Sequence, residues 1–159
     1  MQIKRVDYRD SEDAAALVSL LNAYAEEPLG GGVSLSQQVR ESLPAELAKI
    51  PGAYSFVVRE QGEPVALLNA FTGFSTFNAR PLINIHDVYV APSVRGAGAL
   101  EMLFDAVEQQ ARALNCCKIT LEVLEDNGRA QSAYRRLGFK GYEVGETGGE
   151  ALFWQKKLR

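Results

Sequence analysis

The chain has 159 residues and a formal net charge of −3, and 47% of its residues are hydrophobic. This length predicts one domain over residues 1–159 with a substantial core, because two domains of ordinary size would not fit comfortably. Lys and Arg are scattered along the sequence, which argues against a nucleic-acid groove or a basic membrane patch and leaves room for a cationic substrate.

Cysteine usage and hydropathy predict the compartment. Cys116 and Cys117 are adjacent, so a disulfide between them would be strained, and no spacing typical of a metal site is present. No apolar run approaches the ~18 residues needed to cross a bilayer, and the opening MQIKRVDYRD lacks the apolar segment of a signal peptide. We therefore expect a cytoplasmic protein with reduced thiols, without a metal, a membrane partner or a nucleic-acid partner.

The N-terminal third predicts a strand followed by two helices. The strand covers residues 3–8, and the amphipathic helix after it can be capped by Asp10 or Ser11. The segment PLGGG ends this helix, and residues 34–50 form a second helical region that Pro44 is expected to split or kink.

The rest of the chain alternates between strands and helices. YSFVVRE and PVALLNAFTGF flank the turn QGE and predict an antiparallel hairpin, FSTFNARP a loop, and LINIHDVYV a further strand. Residues 98–115 give the strongest amphipathic helix, and CKITLEVL gives a short strand. A short helix with Asn127 as its cap and Gly138 after its end precedes a last hairpin of FKGYEVG and EALFWQKKL.

The element order predicts a mixed sheet whose strand, helix and strand from LINIHDVYV to CKITLEVL form a right-handed parallel unit. Ligands of such sheets bind beyond the carboxyl ends of the strands, where VAPSVRGAGAL lies. Its glycines and the following helix N-terminus offer backbone N–H groups to an anion, although the pattern is neither a P-loop nor a dinucleotide fingerprint. Taken alone, the stretch is equally compatible with a plain turn between a strand and a helix.

Two segments resemble motifs of the GNAT superfamily of acetyl-CoA-dependent N-acetyltransferases. Arg95-Gly96-Ala97-Gly98-Ala99-Leu100 is similar to the acyl-CoA motif Arg/Gln-x-x-Gly-x-Gly/Ala, with a departure at Leu100. NGRAQSAYRRLGF is similar to the family's Asn-x-x-Ala-x-x-x-Tyr-x-x-x-Gly-Phe segment. The resemblance covers essentially the whole chain and implies an α/β, GNAT-like acyl-CoA N-acyltransferase fold, with a central mixed sheet flanked by about four helices.

The resemblance also implies acetyl-CoA as cosubstrate. The amides of the glycine turn would hold the pyrophosphate, and the strand edge at Val88 and Val90 would pair with the pantetheine arm, in a slot where this strand splays from the next. The implied cofactor-binding residues are Val88, Val90, Arg95, Gly96, Ala97, Gly98, Ala99, Leu100, Asn127 and Tyr134.

Two residues are predicted to move protons. Tyr134 matches the family position that protonates the leaving thiolate, although a tyrosine in an apolar helical stripe can equally be a core residue. His86, the sole histidine, would share a strand face with Asn84, Val88 and Val90 under period-two alternation. An imidazole there could take the amine's proton directly or through water, or could be a hydrogen-bonded core residue.

The acceptor side is predicted from weaker signals. Asp87 would lie on the other strand face as a structural partner unless a bulge turns it toward the substrate, and Glu26 would lie near the acceptor entrance. Phe74 and Phe77 resemble a pocket wall of polyamine-type acetyltransferases, or simply pack at a strand end. The predicted substrate-binding residues are Phe74, Phe77, Asn84, His86, Asp87 and Glu26.

The expected function is acetyl transfer from acetyl-CoA to a primary amine of a small polyamine- or amino-acid-like molecule, by direct attack in a ternary complex. The alternatives are a non-catalytic acyl-CoA-binding or sensing module and a protein lysine or N-terminal acetyltransferase. By resemblance, the chain is also expected to form a homodimer.

Overall fold

The computed structural model describes residues 1–141 and 154–158 of the chain. The chain forms two compact units, Met1–Glu122 and Val123–Arg159. A single domain over the whole length remains a prediction. Most of the predicted C-terminal hairpin, residues 142–153, lies outside the described residues.

The order of strands and helices in the described residues is the predicted one, and it contains four α-helices. The first unit contains the strands β1 (Gln2–Arg5), β2 (Ala53–Glu60), β3 (Glu63–Ser75), β4 (Arg80–Val90) and β5 (Ile119–Leu121). Its helices are α1 (Ser11–Glu26), α2 (Gln37–Leu47) and α3 (Ala99–Ala113), and the second unit contributes α4 (Gly128–Arg136).

Local side-chain chemistry explains where the first helices begin and how they continue. Asp10 caps α1, because its carboxylate accepts hydrogen bonds from the amides of Glu12 and Asp13. Ser36 caps α2 by accepting from the Val39 amide. Pro44 lies inside α2 without splitting it, and the alternative effect, a kink, remains a prediction.

The sheet has the strand order β1-β2-β3-β4-β5, antiparallel from β1 to β4. Strands β4 and β5 are parallel, as the helix between them predicts, but they pair only from Ile83 to Ile85 of β4. Both β3 and β4 are longer than predicted, so the loop expected over residues 74–81 is reduced to a turn at 76–79.

Helices cover both faces of this sheet. On one face, α1 and the end of α2 pack against β2, β3 and β4 around a buried cluster of Val6, Ala16, Leu17, Leu20, Leu47, Ala53, Val57, Leu67 and Tyr89. On the other face, α3 contacts the same three strands and contributes the buried Leu103, Phe104 and Val107. We call these the α1 face and the α3 face.

Candidate active site

A glycine turn joins β4 to α3. After β4, one turn of 3-10 helix leads to Gly96 and Gly98, which adopt φ values of 81° and 92°, and α3 starts at the next residue. A side chain is strained at such angles, so the backbone requires glycine. A Cβ at either position would meet nothing within 4 Å, so packing does not explain these glycines. The side of each glycine on which a Cβ would lie faces open space.

The amides of this turn fall into two groups. Ala97 N–H donates to the Val94 carbonyl at 3.1 Å, which closes the turn. Among the described residues, the amides of Gly96, Gly98 and Ala99 find no protein acceptor. Because these groups lie at the positive end of the α3 dipole, the turn can bind an anion such as a diphosphate.

The edge of β4 offers further backbone amides close to the glycine turn in sequence. Ala91 N–H donates to Val65 O of β3 at 2.9 Å, and successive amides of a strand point in alternate directions. The amides of Val88 and Val90 therefore point away from β3. On that side β5 has already ended, since its pairing stops at Ile85. An extended chain can pair with this open edge, which is the geometry expected for the pantetheine arm.

Arg95 connects the turn to the end of α1. Its Nε donates to the Val90 carbonyl at 2.9 Å, and its guanidinium also donates to the carboxylate of Glu27, which follows α1 directly. Both side chains are partly buried. The guanidinium therefore holds the turn in place through protein contacts, and binding of the cofactor by Arg95 remains a prediction.

A β-bulge in β4 changes which side chains share a face. Asn69 of β3 pairs with Asp87, whereas the next residue, Ala70, pairs with Ile85, so His86 is an extra residue in the ladder. Beyond the bulge the alternation is reset. Asp87 therefore joins Asn84 on the α1 face.

Val88 and Val90 lie on the α3 face, because they pair with Leu68 and Ala66. The prediction that Val88 and Val90 share one face with His86 and Asn84 is therefore wrong. The physical reason is that an inserted residue breaks the period of two. Asp87 is predicted to turn toward the substrate only if β4 contains a bulge, and this bulge is present.

His86 lies exposed at the bulge on the α1 side of the sheet. Its ring meets the half-buried Phe71 edge to face, with ring centroids 4.8 Å apart. Within the described part of the chain no hydrogen bond to the imidazole is found. This exposure does not fit the alternative of a hydrogen-bonded core histidine, and the catalytic role remains a prediction.

A row of polar side chains crosses the α1 face and ends at Asp87. The Tyr8 hydroxyl lies 2.9 Å from Ser55 Oγ, Ser55 donates to Asn69 Oδ1 at 2.6 Å, and Asn69 Nδ2 donates to Asp87 Oδ2 at 3.0 Å. Burial raises the pKa of the Tyr8 phenol, which therefore stays protonated at neutral pH. The pKa of Tyr24 is also raised, first by burial and then by the negative charge of Asp87.

Sequence reasoning missed Tyr8, Ser55 and Asn69. The available signal is the lone amide in the apolar run PVALLNAF, since a buried polar group needs a partner.

The other predicted acceptor residues have different surroundings. Asn84 Nδ2 donates to Thr120 Oγ1 across the β4–β5 pair at 2.9 Å. Glu26 accepts from Asn22 and Ser34 and thereby fixes the connection after α1. Phe74, near the end of β3, is 62% exposed, and Phe77, in the β3–β4 turn, is 98% exposed, so Phe77 does not pack at the strand end.

The second unit carries the other motif. Asn127 caps α4 by accepting from the Ala130 amide at 3.1 Å, and Gly138 follows the helix with a φ of 88°. Tyr134 is partly buried, with its ring centroid 6.2 Å from that of Phe139. Both predicted ends of α4 are confirmed, and the role of Tyr134 as an acid remains a prediction.

The part of the chain that the structure describes holds neither a cluster of metal ligands nor a membrane-spanning helix. There, no three His, Cys, Asp or Glu side chains cluster closely enough to hold a metal ion. No helix in the same part combines the length and the apolar character needed to cross a membrane. Cys116 and Cys117 are free thiols.

A mixed sheet that opens beside a bulge, next to a turn with free amides before a helix, offers a site for an extended ligand that carries an anionic group. The model described as the Acetyltransferase (GNAT) family matches residues 15–139, and the chain belongs to this family. The predicted fold and the predicted class of enzyme, an N-acetyltransferase, are thereby confirmed.

Several known proteins resemble the chain along most of its length. An uncharacterized N-acetyltransferase, YhfO of Bacillus subtilis, is 26% identical over 82% of this chain and 85% of its own. A thialysine N-epsilon-acetyltransferase of Bos taurus is 28% identical over 79% and 78%. A solved structure of AAC(6')-Iy with the bisubstrate analogue CoA-S-monomethyl-acetylneamine has a TM-score of 0.78 at 16% identity, covering 99% and 98% of the two chains.

Proposed function

We propose that the chain transfers the acetyl group of acetyl-CoA to a primary amine of a small cationic molecule, by direct attack in a ternary complex. The observation that carries this proposal is a set of amides that find no acceptor among the described residues: those of Val88 and Val90 on the edge of β4, and those of Gly96, Gly98 and Ala99 in the turn before α3. The turn amides would hold the diphosphate, and the amides of Val88 and Val90 would hold the pantetheine arm. The thioester would then lie beside the bulge.

The bulge supplies the polar groups that the chemistry needs. The acceptor arrives as an ammonium ion, and the exposed His86 imidazole takes one proton from it, directly or through a water molecule. The neutral nitrogen attacks the thioester carbonyl carbon, the carbon–sulfur bond breaks, and Tyr134 gives a proton to the departing thiolate. The nitrogen then loses its second proton, through water, to the Tyr134 phenolate. Asp87 contacts the ammonium form of the acceptor as it arrives, and Asn84, Glu26, Phe74 and Phe77 line the rest of the acceptor site.

The choice of a small amine is supported by two relatives. The bovine relative is named for the ε-amine of thialysine, and the AAC(6')-Iy complex holds an analogue that joins CoA to an aminoglycoside fragment. An analogue that links the two substrates mimics a ternary complex in which the amine attacks the thioester directly.

An acceptor panel tests this function. Purified protein is incubated with acetyl-CoA and either thialysine, 1,4-diaminobutane, a lysine-containing peptide or a peptide with a free N-terminus, and released thiol is measured. Turnover with thialysine or the diamine is the expected result. Turnover with the peptides alone would indicate a protein acetyltransferase, and CoA binding in calorimetry without turnover would indicate a sensing module.

We also propose that the protein works in the cytoplasm as a homodimer. The two free cysteines support a reducing compartment, and the exposed Trp154 provides apolar surface for pairing. Sedimentation equilibrium at micromolar protein should give about twice the 17.4 kDa chain mass. A mass equal to one chain would exclude the dimer.

A further inference from the structure

The polar row beneath Asp87 is unusual for the core of a sheet. Ser55 and Asn69 are only 1% and 4% exposed, and they lie directly opposite each other on β2 and β3. Two apolar side chains would fill the same space without any polar group to desolvate, and such replacements are often neutral or stabilising. Fold stability alone therefore gives little reason for a serine and an asparagine here.

The hydrogen bonds of this row have one direction. Because the Ser55 hydroxyl hydrogen is donated to the Asn69 side-chain oxygen, Ser55 Oγ accepts from the Tyr8 hydroxyl. The bond to Asn69 Oδ1 also fixes the amide orientation, so that its NH₂ group points to Asp87. Every link thus donates toward the carboxylate, and aligned hydrogen bonds strengthen one another.

This arrangement leaves one side of Asp87 free. Asn69 binds Oδ2, and Oδ1 accepts no hydrogen bond from the described residues. Asp87 is half-buried and stands next to the exposed His86 at the bulge. Its free oxygen is therefore available to a cation at the point where the proposed acceptor meets the thioester.

We infer that Asn69 is a positioning residue, which, with Ser55 and Tyr8 behind it, orients the Asp87 carboxylate to receive the acceptor's ammonium group. This inference rests on the proposed function. It adds that selection for cationic acceptors depends on a buried row that itself never touches the substrate. Without the Asn69 amide, the carboxylate rotates between positions, and the ammonium loses a fixed partner.

Steady-state kinetics of Asn69→Leu, with thialysine and 1,4-diaminobutane as acceptors, tests the inference. Leucine has a similar size and no hydrogen-bonding group. We expect the acceptor KM to rise about tenfold, the scale of one hydrogen bond to a charged group. The dissociation constant of CoA and kcat should each change less than about threefold, because neither the turn nor the proton-transfer groups are altered. An unchanged KM, or a loss in kcat alone, would overturn the inference.

Two gentler pairs of variants keep the test valid if Asn69→Leu does not fold. Tyr8→Phe removes only the first hydroxyl of the row and should raise KM about twofold to threefold. Its matched control is Tyr54→Phe, which removes a hydroxyl from the neighbouring strand position to Ser55, on the α3 face, and should leave KM unchanged. Ser55→Ala should behave like Tyr8→Phe or worse, and Ser55→Thr, which retains a hydroxyl, should recover most of the wild-type KM. The inference would be overturned if all four variants had the acceptor KM of the wild-type protein.

Failure of the proposed function has a different signature. If the wild-type protein acetylates neither probe, calorimetric titration of 1,4-diaminobutane into the CoA-saturated protein replaces kinetics. Weaker diamine binding to Asn69→Leu than to the wild type would support the positioning role without turnover. Equal binding, or no diamine binding to the wild type, would overturn it.

Discussion

Replacing Gly98 with alanine separates the backbone demand of the glycine turn from its proposed binding role. Gly98 has a φ of 92°, and a Cβ there would project into open space rather than into protein. The left-handed conformation costs an L-residue roughly 1–2 kcal/mol, so stability should fall by about that amount. The added methyl group would also push a diphosphate away from the turn amides. Loss of one charge-assisted hydrogen bond, about 1.5–3 kcal/mol, would weaken CoA binding by roughly 10- to 100-fold.

The chain offers a matched control in Gly62, at the turn between β2 and β3. Gly62 has a φ of 91° and equally open surroundings, so Gly62→Ala should carry the same strain without touching the proposed cofactor site. Urea unfolding gives the stability loss and isothermal calorimetry gives the CoA affinity for both variants. If Gly98→Ala and Gly62→Ala lose the same stability and both keep wild-type CoA affinity, the diphosphate does not bind at this turn.

Three further predictions concern single side chains. Tyr134→Phe should keep the fold and CoA affinity and lower kcat by about 10²-fold or less, and unaltered turnover would return Tyr134 to a packing role. His86→Gln should lower kcat/KM at neutral pH by about 10²-fold, whereas an unchanged kcat/KM with the same acceptor would assign proton removal to water or to the substrate. Burial alone would raise the pKa of Asp13, but bonds and charges from Lys4, the Asp7 amide and Arg59 lower it overall. Asp13 therefore stabilises the fold above about pH 4 and loses this effect as the pH falls, so the Tm of Asp13→Asn should decline less than the wild-type Tm between pH 5 and 2. Parallel declines would contradict this assignment.

Local chemistry made most of the fold predictable. The helix beginning after Asp10, the hairpin around QGE and the amphipathic helix after the glycine turn each depend on residues that are close in sequence, so periodicity and capping locate them. The ends of β3 and β4 were harder to predict. FSTFNARP contains turn-forming residues throughout, and pairing between the two strands, a non-local effect, extends each of them into that segment.

The site was predictable where its chemistry lies in the backbone and less so where it lies in side chains. The glycine turn is visible in the sequence because its dihedral angles demand glycine. The bulge at His86 has no comparable signal, since it reflects pairing with Asn69 and Ala70 across the sheet. Likewise, Arg95 and Glu27 lie 68 residues apart in sequence, and only the fold brings their charges together.

The link between Arg95 and Glu27 constrains any attempt to redesign this enzyme. One guanidinium holds both the last carbonyl of β4 and the carboxylate that begins the connection from α1 to α2. An engineer who grafts a foreign connection to change the acceptor would also disturb the turn proposed for the cofactor, unless a carboxylate is kept at position 27. Libraries that vary residues 28–35 while fixing Glu27 would show whether this connection influences acceptor choice while the donor turn stays intact.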